Sequence, residues 1–135
     1  MRSDYLANND RFQGDDMAEI TIYHNPKCSK SRLTLQLLRD HGIEPQIVEY
    51  IRQPLNVAQI KRLLELLNIS PRELLRKQES DYRALNLSDP LLSADSLINA
   101  MAEHPVLMER PIVVVGERAA LGRPPESVLD ILPPG

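Results

Sequence analysis

The stretch Tyr23-His24-Asn25-Pro26-Lys27-Cys28-Ser29-Lys30-Ser31-Arg32 constrains this chain more than any other. A short run, Glu19 to Tyr23, leads into it, and the amphipathic run from Leu33 to Arg39 leads out. Read locally, that is a strand, a loop and the first turn of a helix, with the only cysteine of the chain at the helix start. A thiol in that position meets unpaired backbone N–H groups and the positive end of the helix dipole. Lys27, Lys30 and Arg32 add cationic charge nearby, and His24 lies four residues upstream. Each of these favours thiolate over thiol. At an ordinary pKa of about 8.5 only a few per cent of a thiol is ionised at pH 7, and a drop of about two units makes most of it reactive.

A lone cysteine is more often a small buried hydrophobe than a nucleophile. Here its neighbours are polar and basic, Pro26 fixes the loop, and a strand-to-helix junction is where α/β proteins bind anions. These features favour a reactive thiolate at Cys28.

A length of 135 residues fits one domain with a single ordinary core. Residues 1–17 are rich in Asn and Asp, lack an apolar pattern and are expected to be a disordered polar tail ahead of a domain over 18–135. The net charge of −3, with aromatics at 4% and no basic block, argues against a nucleic-acid partner. No apolar run approaches the roughly twenty residues that span a bilayer, and no secretory signal is evident. A cytoplasmic location is therefore expected, and a single cysteine agrees with a reducing compartment. It also leaves no internal partner to resolve an oxidised Cys28.

Along the chain, periodicity and end signals predict a strand over Glu19–Tyr23 and a helix from Ser29 to His41 with Leu33, Leu37 and Leu38 on one face. Gly42 closes that helix. A second strand is expected over Pro45–Tyr50, near enough for a right-handed βαβ crossover, and a second helix over Val57–Leu67. Ser70-Pro71-Arg72-Glu73 is a compact helix start with a capping box; the helix it opens is expected to carry Leu74, Leu75 and Arg76. A helical piece over Ser80–Leu85 and a Ser93-capped helix ending at His104-Pro105 come next. Arg110–Val115 and Arg118–Leu121 read as a hairpin turning at Gly116-Glu117, and a last helix covers Glu126–Leu132. This order predicts an α/β fold: a thioredoxin-like mixed four-stranded sheet flanked by helices, with a helical insertion.

Cys28-Ser29-Lys30-Ser31 is the C-x-x-S form of a redox motif, so thiol chemistry would be monothiol, with an external thiol resolving a mixed disulfide. A phosphatase loop would need Arg six residues after Cys28, where Thr34 stands. One cysteine and the scattered His24, His41 and His104 give no metal-ligand spacing, and no bound cofactor is expected. Dinucleotide and P-loop fingerprints are absent.

The string from Ile22 to Arg32 resembles the active-site loop of the glutaredoxin-dependent arsenate reductase family. Leu74-Leu75-Arg76-Lys77, Glu109-Arg110-Pro111-Ile112-Val113-Val114 and Gly122-Arg123-Pro124-Pro125-Glu126 match it in the same order, so the resemblance runs from about Ile20 to Leu132. It implies a role in arsenic resistance. Cys28 would attack arsenate, glutathione would join the arsenic as co-substrate, and glutaredoxin would reduce the intermediate until arsenite leaves. It implies further that Arg76, Arg110 and Arg123 hold the oxyanion, that His24 helps keep Cys28 ionised, and that the Arg110-Pro111 bond is cis. The family's best-known members carry Gly-Thr-Ser after the cysteine and a C-terminal tail. With Ser29-Lys30-Ser31 there and an end soon after the last helix, the chain is similar to a chromosomal branch.

Physical chemistry supports those roles separately. A thiolate and an arsenate dianion repel, so attack needs countercharge, which arginine forks provide. Arg110 at a strand entry and Arg123 in a Gly-Arg-Pro loop suit ligand binding, whereas Arg76 suits either ligand binding or packing of its stem. Lys27, Ser31 and Arg32 read as loop charge, helix capping and surface charge, with residues 29–32 contributing backbone donors. The competing class is a thiol-based adaptor or an Spx-like regulator of RNA polymerase. Ser31 removes the C-x-x-C switch that such regulators use.

Overall fold

The structure, a computed structural model, describes residues 19–133; the tail expected over residues 1–17 lies outside them. Four strands form one sheet in the order β2-β1-β3-β4, where β1 is Ile20–Tyr23, β2 Gln46–Val48, β3 Ile112–Val115 and β4 Arg118–Leu121. β1 and β2 are parallel, and β3 is antiparallel to both β1 and β4. This is the thioredoxin-like mixed sheet that the sequence predicts. The second strand is shorter than expected, because only three of its residues pair with β1.

Helix α1, Ser29–Asp40, crosses from β1 to β2. Its chain leaves through Gly42, whose positive φ of 78° is the left-handed geometry that a helix end demands. The buried face differs from the expected one. Ser31, Thr34, Leu35 and Leu38 point inward, at spacings of three and four, while Leu33 is 59% exposed. Counting leucines alone misplaces this stripe, because two of its inward members are polar.

Between β2 and β3 stand the helices of the insertion: α2 (Val57–Leu67), α3 (Pro71–Leu74), α4 (Ser80–Ala84) and α5 (Ala94–Glu103). Asn56 with Gln59 and Ser70 with Glu73 form full capping boxes, and Ser93 caps α5. The last helical segment, Pro125–Ile131, is a 3-10 helix rather than an α-helix.

The strand pleat splits the core in two. Ile112 joins a cluster with Tyr50, Ile60, Leu74, Leu97 and Met101 under the insertion. Val113 and Val115 join Ile22, Leu35, Leu38, Val128 and Ile131 on the opposite face, under α1 and the last 3-10 segment. With both faces covered, β3 reads Ile-Val-Val-Val without polar alternation.

Strand register fixes which segments meet at the sheet end where β1 finishes. Tyr23 pairs with Val48 and with Ile112, and Ile112 pairs with Leu121. The loop after β1, the segment after β2, the entry to β3 and the exit from β4 therefore share one edge.

Candidate active site

Cys28 is the N-cap of α1, half-buried and free. The loop before it is tied to itself. Cys28 N–H donates to Asn25 O at 3.0 Å, Lys27 N–H to Asn25 Oδ1 at 3.0 Å, and Arg32 Nη1 to Pro26 O at 2.9 Å. Burial, the largest single influence, pushes the Cys28 thiol up. The Ser31 N–H, the Arg110 guanidinium and the Lys30 N–H together outweigh it, so the thiol lies below the ordinary cysteine range. The backbone donors are those expected of a helix N-terminus. The cation acting on the sulfur is Arg110, distant in sequence but brought by the β1–β3 register to the same end of the sheet, rather than the neighbouring Lys27, Lys30 or Arg32.

His24 is buried, and its backbone N–H donates to Val48 O at 2.8 Å. Its Nδ1 lies 2.7 Å from Ser31 Oγ, which also accepts from Asn25 N–H at 3.0 Å. Burial is the main reason that its pKa sits below the usual histidine value; Arg39 and Arg32 push the same way, against Glu49. A neutral imidazole accepting the Ser31 proton at Nδ1 suits this arrangement. The histidine thus reaches Cys28 through the loop and the first turn of α1, not as a cation beside the sulfur. Ser31, read from sequence as a capping residue, is the fully buried side chain that makes the link.

The structure brings Arg76, Arg110 and Arg123 together. Arg76 is not on a helix: α3 stops at Leu74, and Leu75 turns extended to form an isolated bridge with Met108. Arg76 N–H donates to Leu107 O at 2.7 Å and Glu109 N–H to Leu74 O at 2.8 Å. This short antiparallel ladder sets Arg76 beside Glu109. Arg110 comes directly after, its Nη1 donating to Val106 O at 3.1 Å and its bond to Pro111 cis, as the resemblance implies. The Arg123-Pro124 bond is cis as well.

Arg123 is brought in by close packing at Gly122. The Gly122 N–H donates to Pro111 O at 2.9 Å, and a Cβ at Gly122 would lie 2.5 Å from Thr34 Oγ1 and 2.8 Å from Pro111 Cγ. Only glycine lets β4 leave the sheet pressed between α1 and Pro111. Arg123 Nη1 then donates to Arg110 O at 3.1 Å.

Two carboxylates connect the guanidiniums. Glu109 Oε1 accepts from Arg76 Nη1 at 2.9 Å and lies 3.7 Å from Arg123 Nε. Glu79 Oε2 accepts from Arg76 Nε at 3.1 Å and lies 3.8 Å from Arg110 Nη2. Three positive and two negative groups leave one surplus cation, which a Cys28 thiolate matches. Arg110 Nε is buried without a partner among the described residues, which leaves one donor of this guanidinium free.

Sequence reasoning missed Tyr50 altogether. It is 1% exposed, and its hydroxyl donates weakly to Met108 O at 3.4 Å. Burial pushes its pKa up to about 12 despite Arg110 and Arg76, so the phenol stays neutral. Only the parallel pairing of β2 with β1 could have located it. The described residues hold no cluster of metal-ligating side chains, and no helix among them is long and apolar enough to cross a membrane.

A thioredoxin-like sheet with one activated cysteine at a helix start, facing an arginine cluster, defines a monothiol oxidoreductase that handles an anion. Residues 23–131 match the ArsC family. The chain is 45% identical over 117 residues to an Escherichia coli protein named arsenate reductase, covering 87% of this chain and 83% of that one. An Escherichia coli K12 protein named YfgD, described only as uncharacterized, is 51% identical over 84% of this chain and 97% of its own. A solved structure named arsenate reductase from Vibrio cholerae superposes with a TM-score of 0.83 at 52% identity, covering 85% of this chain and 98% of that one. The chain belongs to the ArsC family and is an oxidoreductase.

Proposed function

We propose that the protein reduces arsenate to arsenite in the cytoplasm, using glutathione and glutaredoxin as electron donors. The observation that carries this reading is the convergence of Arg76, Arg110 and Arg123 beside a thiol whose pKa is lowered.

The Cys28 thiolate attacks arsenic(V). A sulfur–arsenic bond forms, an arsenic–oxygen bond breaks, and the departing oxygen leaves as water after taking up protons. Arg110, with its free Nε, and the nearby guanidiniums of Arg76 and Arg123 hold the remaining oxygens and balance their charge. Glutathione then adds to the arsenic through its sulfur and displaces a second water. A glutaredoxin thiolate attacks that glutathione sulfur, giving a mixed disulfide, and the electron pair of the sulfur–arsenic bond stays on arsenic, now arsenic(III). Water finally displaces Cys28 and releases arsenite. The external reductant is required because no second cysteine exists in the chain. His24 positions the loop through Ser31, and the buried Tyr50 phenol stays neutral.

The test is NADPH consumption with arsenate, glutathione, glutathione reductase and glutaredoxin, comparing the protein with its Cys28→Ser variant. Arsenate-dependent turnover lost in the variant is expected. No turnover, with Cys28 still alkylating quickly near neutral pH, would replace this reading with a thiol adaptor.

A further inference from the structure

The three arginines do not wait for an anion with empty hands. Their side chains run in an alternating order, Arg123, Glu109, Arg76, Glu79, Arg110, with successive charged atoms 3.7, 2.9, 3.1 and 3.8 Å apart. Arg76 is engaged on two edges of its fork, at Nε by Glu79 and at Nη1 by Glu109. Both carboxylates are about three-quarters buried, so their charges act with little screening by solvent. A site built only for tight anion binding would not place two anions among its three cations.

We infer that Glu79 and Glu109 are specificity-determining residues: as resident counter-ions they keep resting affinity for tetrahedral oxyanions low, so that phosphate is not retained. The inference rests on the oxyanion reading under Proposed function. Phosphate and arsenate match in shape and charge, and no arrangement of arginines separates them strongly in the ground state. They differ once bound, because a thiol can bond to and reduce arsenic(V), whereas phosphorus(V) resists reduction by thiols. Weakening the binding common to both anions costs arsenate little, provided the guanidiniums leave the carboxylates for the arsenic-bound oxygens as the thiolate attacks. Only interactions that strengthen on the way to the transition state accelerate the reaction. Uniform binding would only fill the site with phosphate. All three guanidiniums face a carboxylate that the substrate must displace, and Arg110 alone keeps one donor, its buried Nε, without a partner among the described residues.

The test reads phosphate binding without turnover. Cys28 is alkylated with the neutral reagent iodoacetamide at fixed pH, and the phosphate concentration giving half-protection is measured in the full chain, in Glu109→Gln and in Glu79→Gln. Each variant is expected to need about tenfold less phosphate, the effect of removing one nearby negative charge from a half-buried site. In the coupled assay KM and kcat for arsenate are expected to fall together in each variant, leaving kcat/KM little changed, the signature of binding added to the ground state alone. Glu109→Asp, which restores the carboxylate, is expected to move half-protection back toward the wild-type concentration. If the carboxylates serve only to hold the arginines in place, both Gln variants will need the same or more phosphate, and the inference is overturned with the reductase reading intact. If neither phosphate nor arsenate protects Cys28 in any of the proteins, the oxyanion reading itself fails and this inference goes with it.

Discussion

His24 Nδ1 lies 2.7 Å from Ser31 Oγ, a contact that joins the end of β1 to the first turn of α1 beneath the cysteine loop. The histidine is thereby coupled to the orientation of the backbone donors around Cys28, while the charge on the sulfur is balanced by Arg110. The two residues are separable by experiment.

In a pH profile of Cys28 alkylation, Arg110→Ala is expected to move the midpoint upward, since it removes both a hydrogen bond and a positive charge from the thiolate. His24→Ala is expected to move it upward by less, because the Ser31 and Lys30 N–H groups remain. An equal or larger shift for His24→Ala would restore a direct histidine–cysteine interaction.

The buried histidine also gives stability a pH dependence. Its folded pKa lies below the ordinary 6.5, chiefly through burial, so the unfolded chain binds the proton more readily. Stability is therefore complete above about pH 6.5 and declines as pH falls through the folded value. His24→Gln should flatten that part of the urea-midpoint profile. A variant as acid-sensitive as the wild type in this window would mean that other groups carry the dependence.

Tyr50 predicts the opposite limb. With its phenol pushed up to about 12 from the ordinary 10.0, the unfolded chain ionises first, and stability is lost as pH rises through that interval. The loss attributable to this group is roughly 2–3 kcal/mol by the top of the interval. Denaturant titrations of Tyr50→Phe at alkaline pH should show a shallower decline than the wild type.

Gly122→Ala forces a methyl group against Thr34 and Pro111. A stability loss of about 1–3 kcal/mol is expected from this overpacking. It should be accompanied by weaker use of arsenate, because Arg123 is the next residue and is anchored to Arg110 O. Thermal unfolding together with KM would check both, and an unshifted melting temperature would show that the contact relaxes freely.

Arg123→Ala removes a charge-assisted contact from the proposed oxyanion site and should lower kcat/KM for arsenate by about 10- to 100-fold. Arg76→Ala should do at least as much, since it also strands Glu79 and Glu109 without their shared partner. Steady-state kinetics decide this, and an unchanged kcat/KM takes the residue out of the site.

Much of this protein was determined by local sequence. The strand–loop–helix around Cys28, the capping boxes at Ser70–Glu73 and the hairpin of β3 and β4 arise from dihedral preferences, side-chain caps and strand period, all of which act over a few residues. The three arginines were singled out by the resemblance of their short motifs to a family's, not by a local physical signature. Their meeting was not legible in the sequence. Arg76 reaches the site only because Leu75 bridges Met108, and Arg123 only because Gly122 fits between Thr34 and Pro111. Ser31, Tyr50, Glu79 and Glu109 have no local signature of function, since each takes its role from a partner on another element or across the cysteine loop. Short-range chemistry wrote the parts and their order. Strand register and close packing, which depend on contacts far apart in the chain, decided which charges face the thiol.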